Sequence, residues 1–118
     1  MADSTMPSSL EQLSAALADA VAAASAGVVA VHAARSRASG FVWRDGLVVT
    51  CEEALPDEDE VAVLLPDGSR LRARVAGRDA GTDIALLRVD GALPAPVAFD
   101  AQPVRAGAIA IALGSHAG

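Results

Sequence analysis

A chain of 118 residues with 53% hydrophobic residues allows one modest core, and with three aromatics and no tyrosine that core must be built from alanine, valine and leucine. The formal charge is -6 and all nine basic residues are arginines, a balance that argues against a partner held by its nucleic-acid backbone, which requires clustered excess cations. One cysteine, Cys51, excludes an intrachain disulfide and a cysteine-based zinc site.

Residues 1–7, "MADSTMP", read as a disordered lead-in. Ser8 or Ser9 then caps a helix with Glu11 and Gln12 in its first turn, and Leu10, Leu13, Leu17 and Val21 recur at intervals of three or four. That spacing predicts an amphipathic helix ending near Ser25-Ala26-Gly27, where the glycine is a natural stop. The Ala-rich stretch 13–34 lacks a preceding positive region and carries Asp19, so it reads neither as an export signal nor as a membrane span.

From Gly27 the period becomes that of strands. "VVAVHA" is the first. "GFVWR" and "LVVTC" flank Asp45-Gly46, which predicts a hairpin with a type I′ turn, in which both central residues take positive φ. "VAVLL" and "RLRARVAG" flank Pro66-Asp67-Gly68 as a second hairpin. "DIALLRV" and "AIAIALG" follow, separated by the loop over 90–107. Seven short strands after one helix predict an all-β barrel or sandwich. Arg70, Arg72 and Arg74 alternate with Leu71, Ala73 and Val75, the pattern of a strand's solvent face rather than of a basic binding stripe.

Residues 50–55, "TCEEAL", place two carboxylates at a strand end, followed by the acidic run "PDEDE". Glu52, Glu53, Asp57, Glu58, Asp59 and Glu60 are six carboxylates in nine residues, but without the glycine and ligand alternation of a calcium loop they read as a solvated segment, and no metal or cofactor is expected. Cys51 is expected to be a small buried hydrophobe; a nucleophilic thiolate needs a cation or base beside it, and its neighbours are Glu52 and Glu53.

The ordered set "SGFVWRDGLVVT", "VAVLLPDGSRLRARVAGRDAGTDIALLRVD" and "AIALGS" resembles the N-terminal half of trypsin-like serine proteases of the HtrA/Deg type, over roughly residues 10–118, and "GRDAGTDIALLRVD" is the most specific piece. The resemblance implies a six- or seven-stranded barrel, the first of two, preceded by one helix. It also implies that Asp83 stands at the position of the catalytic aspartate, the residue that orients the histidine, and that Thr50 precedes the histidine motif. Position 53 is where that histidine would stand, and here it is Glu53. No G-N-S-G-G stretch bearing a nucleophile occurs before Gly118. His32 falls in the first strand and reads as a surface or satisfied barrel residue, and His116 takes a position usually held by proline. Ser39 and Ser115 each neighbour glycine, but neither lies in a nucleophile turn.

A glutamate cannot replace the imidazole. With an ordinary pKa of ~4.3 it is a weak base toward an alcohol, and when ionised it accepts hydrogen bonds without donating any. Placed against Asp83, it would share a proton, recruit an arginine or turn apart. The expected function is therefore a degenerate or truncated trypsin-like domain without peptidase activity of its own. The alternatives are the N-terminal part of an active endopeptidase with a replaced base, and a non-catalytic module that binds a protein or peptide, or a second copy of itself, through the apolar face that a first barrel turns to its partner. The family is often exported to the bacterial envelope, whereas this sequence shows no export signal.

Overall fold

A computed structural model describes residues 8–57 and 59–115. The expected lead-in over 1–7 and His116 lie outside the described residues. Helix α1, Ser9–Ser25, starts as its sequence requires: the Ser8 hydroxyl accepts the Glu11 main-chain N–H at 3.1 Å and donates to Glu11 Oε1 at 3.1 Å. Its apolar stripe does not pack into a core, since no residue of α1 is buried and Leu10 and Leu13 are 75% and 45% exposed. Periodicity thus specified the helix but not a surface for it. Gly27 follows the helix for a reason other than left-handed backbone. A Cβ there would lie 2.7 Å from Val97 Cγ2 and 3.3 Å from the Ala95 carbonyl, so the glycine lets the 95–97 segment approach.

The six strands are β1 (Val28–His32), β2 (Arg37–Arg44), β3 (Leu47–Cys51), β4 (Glu60–Leu64), β5 (Arg70–Asp79) and β6 (Ile84–Asp90). They close in the order β1-β2-β3-β6-β5-β4, with every pairing antiparallel. Closure lets the inward residues of every strand meet one another. Val29, Val31, Val42, Val48, Val63 and Leu87 are each at most 1% exposed, and the buried cluster contains only valine, leucine and alanine. On β5, Arg70, Arg72 and Arg74 are exposed while Ala73 is fully buried between them, as the alternation predicted.

Two expectations are corrected. The stretch "AIAIALG" forms no seventh strand: residues 108–115 carry no strand pairing. β4 closes directly on β1, so the sheet keeps no edge to accept another strand. The Asp45-Gly46 hairpin is present, but only Gly46 takes positive φ, at 70°, which excludes a type I′ turn. The pairing instead shifts between Val42 and Arg44, a bulge that absorbs the extra residue.

The segment after β6 returns along the barrel wall. The Val97 N–H donates to the Val42 carbonyl at 2.9 Å, and Phe99 meets Phe41 edge to face with centroids 5.7 Å apart. Further on, the Ser115 N–H donates to Ser39 Oγ at 2.8 Å.

Candidate active site

β3 ends at Cys51 and runs straight into a 3-10 turn, Glu52–Ala54, while β6 begins beside it with Cys51 opposite Ile84. The pairing therefore brings Asp83, the residue before β6, against the start of the turn. The two are joined by main-chain donors. The Glu52 N–H donates to the Asp83 carbonyl at 3.0 Å, and the Glu53 N–H donates to Asp83 Oδ1 at 2.9 Å. A helical turn leaves its first N–H groups without internal acceptors, and Asp83 takes two of them. It does so with φ of 57°, a left-handed conformation uncommon for a residue with a side chain. The preceding reversal is stiffened by Asp79, whose carboxylate accepts from the Gly81 N–H at 3.1 Å and from Thr82 Oγ1 at 2.9 Å.

Asp83 and position 53 are therefore neighbours, but through the main chain of position 53; the Glu53 residue itself is exposed. An arginine does reach this turn, Arg78, but it is held by Glu52. Its Nε and Nη2 donate to Glu52 Oε1 at 3.1 and 2.9 Å, and Nη2 also donates to the carbonyls of Leu55 and, at 3.4 Å, Pro56. Arg78 escapes the alternating pattern of β5 because the register against β6 shifts between Val75 and Gly77. Ser36, in the β1–β2 connection, donates through its hydroxyl to the Ala54 carbonyl. Below, Leu55 is fully buried.

The 3-10 turn is thus pinned by Asp83, Arg78 and Ser36 and anchored by Leu55. Arg78 and Ser36 were invisible as site residues in the sequence: Arg78 stands in phase with Arg70, Arg72 and Arg74, and only the bulge between Val75 and Gly77 sets it apart from them.

Thr50 is 5% exposed and donates through Oγ1 to the Ser39 carbonyl at 2.8 Å. Gly40, beside it, has no room for a side chain: a Cβ would stand 2.8 Å from the Val49 carbonyl oxygen. Cys51 is partly exposed rather than buried, because its position at the strand end puts it on the wall of a depression of about 290 Å³ shared with Thr50, Asp83 and Leu113. His32 does not belong to this site. It pairs across the sheet with Arg37 and Ala62. Ser39 is engaged structurally, its Oγ accepting the Ser115 N–H and its carbonyl accepting Thr50. Among the described residues no group of three His, Cys, Asp or Glu side chains converges as a metal site.

Residues 38–118 match the family described as the trypsin-like peptidase domain. The chain belongs to this family. A probable periplasmic serine endoprotease, DegP-like, from Pseudomonas putida (strain F1) is 41% identical over 87 residues, covering 72% of this chain. The DegP-like protein of Halomonas elongata is 37% identical over 86 residues, 71% of the chain. The chain spans 18% of the length of each of these relatives. Among solved structures, the Rv3671c protease of M. tuberculosis H37Rv, in an inactive form, superposes with a TM-score of 0.71 at 27% identity, covering 91% of this chain and 52% of that one. The serine endoprotease from Yersinia pestis superposes at 0.60 with 30% identity, over 76% and 33%. This is the HtrA/DegP type of trypsin-like domain, and the six-stranded barrel with its leading helix corresponds to the N-terminal part of that fold.

Proposed function

We propose that this barrel is a degenerate trypsin-like domain that does not hydrolyse peptides with the side chains it carries. The observation that supports this is the pairing of Asp83 with position 53 in a chain where position 53 is glutamate. A serine protease needs at this point a group that takes a proton from the serine near neutral pH while donating another to the aspartate. Glu53 does neither, and its exposed carboxylate adds negative charge where an imidazolium would form. The test is to incubate the purified chain, and any longer polypeptide that contains it, with an unfolded protein and a serine-reactive probe. Neither cleavage nor labelling is expected, and reproducible turnover would overturn the reading.

The same reading predicts that the slot still accepts an imidazole. In Glu53→His the introduced ring starts beside the Asp83 carboxylate, and an opposite charge within about 4–6 Å favours the imidazolium. Its pKa is expected above the ordinary ~6.5, by only a modest amount because both positions face solvent. The pairing would stabilise the fold below ~6.5 and be lost as pH rises through the raised value. An NMR titration checks this, and Asp83→Asn in the same background should return the imidazole to its ordinary value.

A second reading, that the face beside the slot takes a protein, a peptide or another copy of the chain, is favoured by exposed apolar residues. Ile84, next to Asp83, is 49% exposed, and Phe41 and Leu113 line the depression that Asp83 borders. Concentration-dependent association in light scattering is expected; a salt-insensitive monomer at all concentrations would count against it.

A further inference from the structure

A depression of about 540 Å³ lies on the barrel wall, sharing no residue with the one at Asp83. Its charged lining comes from separate strands. Arg37 on β2 stands opposite His32 on β1, His32 opposite Ala62 on β4, and Ala62 opposite Arg72 on β5. Arg70, two residues before Arg72 and so on the same face, completes the set together with Glu60. The sequence alone presents Arg70 and Arg72 as an exposed strand face; closure of the barrel brings Arg37 and His32 to them. The depression forms because Ala62 is small and is flanked in its row by long side chains.

With three arginines and one glutamate, the lining carries 3 − 1 = +2 with histidine neutral, in a chain of net charge -6. Arg37 is fastened at the rim: its Nη1 donates to the carbonyls of Ala33 and Ser36 at 3.0 and 3.1 Å, using one nitrogen of a five-donor fork. Arg72 faces Glu60 at 3.8 Å, but both side chains are largely exposed, at 74% and 65%, so this pair is weak and an added anion can compete for the arginine. The Arg70 side chain makes no hydrogen bond or ion pair among the described residues.

We propose that this arginine-lined depression is a binding site for a phosphate-bearing anion. A phosphate monoester carries nearly two negative charges, which the lining balances, and presents several oxygens to guanidinium forks. The volume leaves room for the group attached to the phosphate.

The purified chain is titrated with inorganic phosphate and with glycerol phosphate at constant ionic strength. A saturable rise in melting temperature is expected, with amide shifts at Arg37, Ala62, Arg70 and Arg72, since a ligand that binds only the folded state must stabilise it. Arg70→Gln combined with Arg72→Gln should weaken binding roughly tenfold or more, while Arg105→Gln, which changes charge elsewhere, should not. Vesicles of phosphatidylglycerol, set against phosphatidylcholine, separate a lipid headgroup from a soluble phosphate. Either source supports the site if the double variant abolishes its binding. A response matched by chloride, or unchanged in the double variant, overturns the proposal.

Discussion

Replacing Leu55 with alanine is expected to lower the free energy of unfolding by about 2–5 kcal/mol. Leu55 is fully buried and follows the 3-10 turn directly, so the substitution removes apolar contacts and leaves a cavity under the turn that carries Glu53. The surrounding core is aliphatic, valine, leucine and alanine, and has no large ring able to swing into the gap. Domains of this size are stable by only about 5–15 kcal/mol, so the loss would take a large share of the total. Urea unfolding should show a lower midpoint with an unchanged slope, and the Glu53 amide resonance should move because its acceptor on Asp83 no longer meets a fixed turn. A loss below about 1 kcal/mol would show that Leu55 is not the anchor of the turn.

Replacing Arg78 with methionine is expected to cost about 1–3 kcal/mol. Methionine keeps much of the apolar stem but removes the donors to Glu52 Oε1 and to the carbonyls of Leu55 and Pro56. The pair is partly buried, with side chains 29% and 21% exposed, so salt screens it less than it screens the Arg72–Glu60 pair. Removing only the guanidinium leaves the Glu52 carboxylate desolvated without a partner, whereas Glu52→Gln still offers an acceptor oxygen and should cost less. A double-mutant cycle over Arg78→Met and Glu52→Gln measures the coupling, expected at about 0.5–3 kcal/mol. Additive losses would mean that Arg78 acts through its contacts with the carbonyls alone.

Both predictions concern the short turn at "TCEEAL". In sequence the resemblance separates Glu53, at the histidine position, from Glu52, but the residue types and spacing give the two no different partners. In the fold they differ: Glu52 is held by Arg78, and Glu53 offers its main-chain N–H to Asp83 while its residue stays exposed. Their difference arises because a 3-10 turn sends successive residues in different directions. Of the three outcomes open to Glu53 beside Asp83, sharing a proton, recruiting an arginine or turning apart, the sequence could not choose, because the contact runs through a main-chain donor that a turn start must satisfy. The Asp45-Gly46 turn was misjudged for a related reason. The dipeptide signals a reversal, but the turn type depends on how the two strands register, and a bulge met the requirement with one left-handed residue.

The local features of this chain were decided by its sequence alone: the Ser8 cap, the six strands with their alternation, the reversals at Asp45-Gly46 and Asp67-Gly68, an aliphatic core, and the presence of glutamate at position 53 and aspartate at position 83. These follow from periodicity and turn chemistry, which act over a few residues. Only the tertiary structure decided what meets across the barrel. Closure of β4 on β1 denied "AIAIALG" a sheet edge and assembled Arg37 with Arg70 and Arg72, while the shift in β5 turned Arg78 toward Glu52. Register and closure couple residues far apart in the chain, and no short-range pattern encodes which of them become neighbours.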